Sequence, residues 1–70
     1  MNGVQKQFRI RVRFTATRLA DQRDLPIPAG PKAIATVYPE WLNKDPIHFH
    51  IDNLEYSVSR AEFFSHTEPL

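Results

Sequence analysis

Seventy residues make at most one domain, and a single core of this size stabilises a fold by only about 3–5 kcal/mol. Hydrophobic residues at 41% and charged residues at 24% match a folded domain and exclude a disordered chain, and the absence of cysteine excludes disulfides and thiolate metal sites. The net charge of +1 hides an asymmetry: residues 1–32 carry 7 Lys and Arg against 2 Asp, a net of +5, and residues 33–70 carry 2 against 6 acidic residues, a net of −4.

The first predicted element is the most sharply written. Phe8-Arg9-Ile10-Arg11-Val12-Arg13-Phe14 alternates apolar and arginine residues without a break. Successive side chains of a strand point to opposite faces, so Phe8, Ile10, Val12 and Phe14 form a core face and Arg9, Arg11 and Arg13 a cationic stripe. One strand from Gln7 to Thr17 is expected. A polar stretch follows from Arg18 to Lys32. Its second half holds Pro26, Pro28, Gly30 and Pro31, which argues for a long loop. The piece Pro26-Ile27-Pro28-Ala29-Gly30-Pro31 is stiff and extended; it reads as a rigid loop, or as a ligand or clasp for another domain or subunit.

A second strand is expected over Ala33–Tyr38, its facing ambiguous because Ile34 and Val37 differ in parity. Pro39 then starts a helical turn, with Glu40 near its positive end. Ile47–Ile51 and Leu54–Val58 both alternate, and Asp52-Asn53 between them tolerates the left-handed angles of a two-residue turn. The predicted hairpin pairs Ile51 with Leu54, Phe49 with Tyr56 and Ile47 with Val58 on one face, and His50 with Glu55 and His48 with Ser57 on the other. Ser59-Arg60-Ala61-Glu62 matches a capping box opening a short helical turn. A final strand would fall in Phe64–Thr67.

The order is strand, long loop, strand, broken loop, tight hairpin, helical turn and tail. That order resembles the layout of SH3-like small barrels, in loop lengths and element order only. The fold class expected is mainly β, one small domain over residues 1–70, either a small antiparallel sheet or an SH3-like partly open barrel with one short helical turn near the C-terminus. A sheet that closes only as a dimer is the rival.

Two binding surfaces stand out. Tyr38 and Trp41 flank Pro39 on a connecting loop, with Phe63 and Phe64 expected at the same end; tryptophan and tyrosine dominate protein interfaces because they bury much area at low entropy cost. The rival reading has Trp41 folding back to cap the core. The second surface is the arginine stripe, whose guanidinium groups would stand roughly 7 Å apart, close to the phosphate spacing of a nucleic-acid strand. Its rival is a solvated face paired with Asp52, Glu55 or Glu62. His48 and His50 share a face, with His66 nearby at most, and no ligand spacing supports a metal. Ser57, Ser59, His48 and His50 supply nucleophile and base atoms without a catalytic motif.

The sequence therefore predicts a non-enzymatic interaction module that docks on a protein partner through Tyr38, Trp41, Phe63 and Phe64, rimmed by arginines. The alternative is a nucleic-acid binder using Arg9, Arg11 and Arg13. No catalytic residue, cofactor or metal is expected. Self-association is expected from the thin core. No stretch is long or apolar enough for a membrane helix, and the N-terminus lacks a secretory signal, so a cytoplasmic protein is expected.

Overall fold

A computed structural model describes residues 5–70. Within them the strands are β1 (Lys6–Ile10), β2 (Phe14–Arg18), β3 (Arg23–Ile27), β4 (Ile34–Val37), β5 (Ile47–Ile51), β6 (Leu54–Val58) and β7 (Thr67–Pro69). A 3₁₀ turn, Pro39–Trp41, precedes β5, and a helix, α1 (Arg60–His66), precedes β7. All pairings are antiparallel, in the order β3-β2-β6-β5-β4-β1-β7. The result is a mainly β, partly open barrel with one short helix near the C-terminus.

The expected Gln7–Thr17 strand is two strands. Its alternation holds at Phe8, Ile10 and Phe14, all buried, but Val12 is 48% exposed. The chain bends at Arg11–Arg13, so that β1 joins β4 and β7 while β2 joins β6 and β3. The bend keeps its backbone satisfied: the amides of Arg11 and Val12 both donate to the His66 carbonyl, at 2.8 and 3.2 Å. Periodicity cannot reveal such a bend, because the inward parity survives across it.

The predicted long loop contains a second hairpin. β3 pairs with β2 from Phe14↔Ile27 to Arg18↔Arg23, and Gln22, at φ 59°, takes the left-handed position of the turn. Pro26 fits because β3 is an edge strand. The Leu19 amide donates to the Glu55 carbonyl, so the odd-numbered residues of β2 turn their backbone groups toward β6 and the even ones toward β3. Pro26, opposite Thr15, therefore faces outward, where its missing N–H leaves no ladder bond unmade. Pro69 does the same on the other edge: the Arg11 amide donates to the His66 carbonyl and the Leu70 amide to the Gln7 carbonyl, so Pro69, opposite Phe8, faces out.

β4 is Ile34–Val37, with Ala35 and Val37 fully buried and Ile34 and Thr36 on the outer face. The β5–β6 hairpin has the register expected in all five pairs, with Asp52 at φ 53° in its turn. The Ser59 hydroxyl caps α1 by accepting from the Glu62 amide at 3.1 Å. The helix runs seven residues, through the segment expected to be the last strand, and the strand starts instead at Thr67. Phe63 explains this. It is fully buried, with ring centroids 5.1 Å from Phe49, 5.3 Å from Phe8 and 6.3 Å from Phe14. A helix aims this one side chain into the core while Phe64 lies 37% exposed; a strand would have spent the same residues on alternation.

Arg18 and Asp21 clamp the β2–β3 turn, Nε to Oδ1 at 3.0 Å and Nη2 to Oδ2 at 2.6 Å. That hydrogen bonding holds the Asp21 carboxyl below the usual carboxylate range and raises the Arg18 guanidinium.

Replacing Phe63 with alanine is expected to cost about 3–5 kcal/mol, comparable to the stability of a domain of this size. Thermal melting followed by circular dichroism checks it; a variant melting close to the parent would show that α1 is not needed to close the core. The turn gives a second expectation. Asp21 binds a proton less readily folded than unfolded, so its stabilisation is complete above the unfolded pKa and lost as pH falls through the folded one. Asp21→Asn should remove the part of the acid sensitivity seen in hydrogen exchange of the β2–β3 amides. An acid profile unaltered by that change would place the sensitivity elsewhere.

Candidate functional site

The outer face of the sheet is built by cross-strand register. Gln7 lies beside Thr36, Thr36 beside His50, and His50 beside Glu55, forming one row across β1, β4, β5 and β6. A second row runs His48, Ser57, Thr17 and Asp24, with Thr17 Oγ1 donating to Asp24 at 2.7 Å. Tyr38 follows Val37, whose side chain points inward, and so it emerges on this face. Pro39 then turns the chain through a single 3₁₀ turn that folds Trp41 back over β5.

Trp41 is half-buried, packed against the core and against three rings. Its centroid lies 4.8 Å from Tyr38, 5.4 Å from His48 and 5.6 Å from His50, and Tyr38 meets His50 edge-on at 5.2 Å. The Tyr38–Trp41 pair contributes about 0.5–1.5 kcal/mol beyond area burial. Both readings of Trp41 thus have a physical basis: the ring folds back, yet onto the outside of the sheet, where part of it stays accessible.

Glu55 fixes the two histidines. Its Oε2 lies 3.0 Å from His48 Nδ1, and its Oε1 lies 3.5 Å from His50 Nε2. The shorter contact is diagonal across the hairpin, so the carboxylate expected to serve His50 alone serves both. A carboxylate only accepts, so the proton of neutral His48 sits on Nδ1, and its Nε2 is an acceptor with no hydrogen bond among the described residues. His48 also lines a cleft of about 280 Å³ with Trp41, Lys44, Asp45 and Pro46.

Arg60 ties this corner to α1. Its amide donates to Asp45 Oδ1 at 3.1 Å, its Nε donates to the Leu42 carbonyl at 2.8 Å, and its guanidinium lies 5.0 Å from the centre of the Phe64 ring. Of the four aromatics expected to form one surface, Tyr38 and Trp41 are together, Phe64 is joined to their loop through Arg60, and Phe63 lies inside the core. Sequence reasoning missed Arg60 and the joint role of Glu55. The first was legible only as the residue following a helix cap; the second needed the diagonal reach of a glutamate.

The arginine stripe is divided. Arg9 is on β1, and Arg11 and Arg13 are on the bend. Arg9 Nη1 meets Glu68 Oε2 at 2.8 Å, and Arg11 Nε lies 3.9 Å from Glu68 Oε1. The partner is thus Glu68 on β7, where the rival reading of the stripe named Asp52, Glu55 or Glu62. Arg13 is exposed and forms no ion pair among the described residues.

No convergent group of three His, Asp or Glu side chains suited to a metal occurs among the described residues. His66 instead packs on Phe14 at 5.6 Å. Its Nδ1 lies 2.7 Å from the Glu62 carbonyl and 2.9 Å from Ser65 Oγ. A carbonyl accepts only from N–H, so Nδ1 holds the proton and is no base toward Ser65. The Ser59 hydroxyl is committed to its helix cap. No helix among the described residues is long and apolar enough to cross a membrane. Comparison with protein-family models, with characterised proteins and with solved structures finds no match.

Proposed function

We propose that this protein is a non-enzymatic interaction module that docks on a protein partner through Tyr38 and Trp41, with Phe64 and Arg60 at the margin. The observation that carries the reading is the ring cluster of Tyr38, Trp41, His48 and His50, ordered from beneath by Glu55 and left partly open to solvent. Aromatic anchors that are ordered before binding lose little entropy on docking. The cleft beside Trp41 adds polar recognition: the free Nε2 of His48 accepts from a donor on the partner, and Lys44 offers a cation. Phe63 plays no direct part, because it supports the surface from within. A cysteine-free chain suits a reducing compartment, and the cytoplasm is the setting we propose.

The alternative, nucleic-acid binding, draws its support from the exposure of Arg11 and Arg13 on the bend. It is the weaker reading, since Glu68 offsets the charge of Arg9 and Arg11 together.

Trp41→Ala should retain the strand signature in circular dichroism and abolish partner capture in a pull-down with the tagged protein. A molten Trp41→Ala variant would make the ring a core element and remove the basis of this reading. For the alternative, amide shifts at residues 8–14 are expected on titration with short mixed-sequence DNA or RNA at low salt, vanishing at high salt. Silence at low salt would end it.

A further inference from the structure

A second surface lies away from the ring cluster. The proline segment closes a cleft of about 430 Å³ with the β5–β6 turn, lined by Pro28, Ala29, Pro31, Ala33 and Ile51, with Lys32 and Asp52 beside them. The cleft is held open by structure and not by chance of side-chain placement. The Gly30 amide donates to the Ile10 carbonyl at 3.1 Å, and the Ala33 amide donates to Gly30 at 3.1 Å. The flanking prolines restrict the rest of the segment. Next to the cleft, across the turn from Ile51, Leu54 stands 42% exposed. Lys32 and Asp52 are both exposed, and neither forms an ion pair among the described residues.

We propose that this face is the self-association surface of the protein, pairing two copies about a two-fold axis. The occupant follows from complementarity. A two-fold contact joins a patch to itself, so the patch must carry both members of each interaction. This one does: an apolar hollow with an apolar knob, Leu54, beside it, and an unpaired cation with an unpaired anion at its margin. Turned about the axis, Leu54 of each copy enters the hollow of the other, and Lys32 of each meets Asp52 of the other. Strand addition offers no competing route of equal quality, because Pro26 and Pro69 each remove a donor from an open sheet edge. The Tyr38–Trp41 surface plays no part in this contact, so a dimer would present two partner sites.

Sedimentation equilibrium over a concentration series tests the assignment. The parent is expected to dimerise, and Lys32→Glu, which sets like charges face to face, is expected to weaken the dimer roughly tenfold or more. Asp52→Asn preserves the left-handed turn position and removes the anion. In that background Lys32→Glu should have a much smaller effect. Leu54→Asp should give monomer, while Trp41→Ala should dimerise as the parent does. A parent that is monomeric at every concentration overturns the proposal, as does a dimer that Lys32→Glu and Leu54→Asp leave intact. Neither result bears on partner capture through Trp41.

Discussion

Phe63 is fully buried among rings from three strands, and the geometry around it depends on that ring being inside. Phe8 comes from β1, Phe14 from β2 and Phe49 from β5, and Phe63 touches all three. β1 and β2 are consecutive in the chain, yet β4, β5 and β6 lie between them in the sheet. The bend at Arg11–Arg13 makes this arrangement possible by carrying the chain from one side of the barrel to the other. It exposes two backbone amides to the interior of a turn, and the last carbonyl of α1 accepts both. One helix therefore supplies the core ring and the acceptor for the bend. The cap at Ser59 and the bond from Thr67 Oγ1 to the Phe63 carbonyl hold its two ends.

What could be read from the sequence is what depends on neighbours in the chain. The β5–β6 hairpin was legible to the residue, because alternation on both strands and a turn-forming pair demanded one register. The Pro39 turn and the Ser59 cap were legible for the same reason. β3 was not, since proline in a strand is permitted only where the strand has an open side, and openness is a property of the sheet. The bend between β1 and β2 was hidden by its own parity, with Val12 continuing a pattern that the backbone had ceased to follow. The helix across Phe64–His66 was hidden by a conflict of scale: a seven-residue helix is stabilised by what Phe63 buries more than by its own propensity.

The charge asymmetry between the chain halves resolves into two local arrangements. Across β1–β7, Glu68 from the acidic half meets Arg9 and Arg11 from the basic half. Within the basic half, Asp21 serves both Arg18 and Arg23. The acidic half meanwhile sets Glu55 against His48 and His50. Pairing across the sheet accounts for part of the +5 and −4 balance. These exposed pairs orient side chains more than they stabilise.

The candidate site shows how a small sheet can order a surface without a deep pocket. The outer face of an antiparallel sheet is normally its most solvated part, and side chains there keep their freedom. Here Glu55 restrains two imidazoles from the neighbouring strand, the imidazoles support Trp41, and Trp41 supports Tyr38. The order passes outward from one carboxylate to four rings. In the docking we propose, binding at this face needs no rearrangement of the barrel, since Tyr38 and Trp41 rest on His48 and His50 of β5, which Glu55 of β6 faces. On the proposed reading, the fixed register of that hairpin is what lets a 70-residue chain hold an aromatic surface for docking.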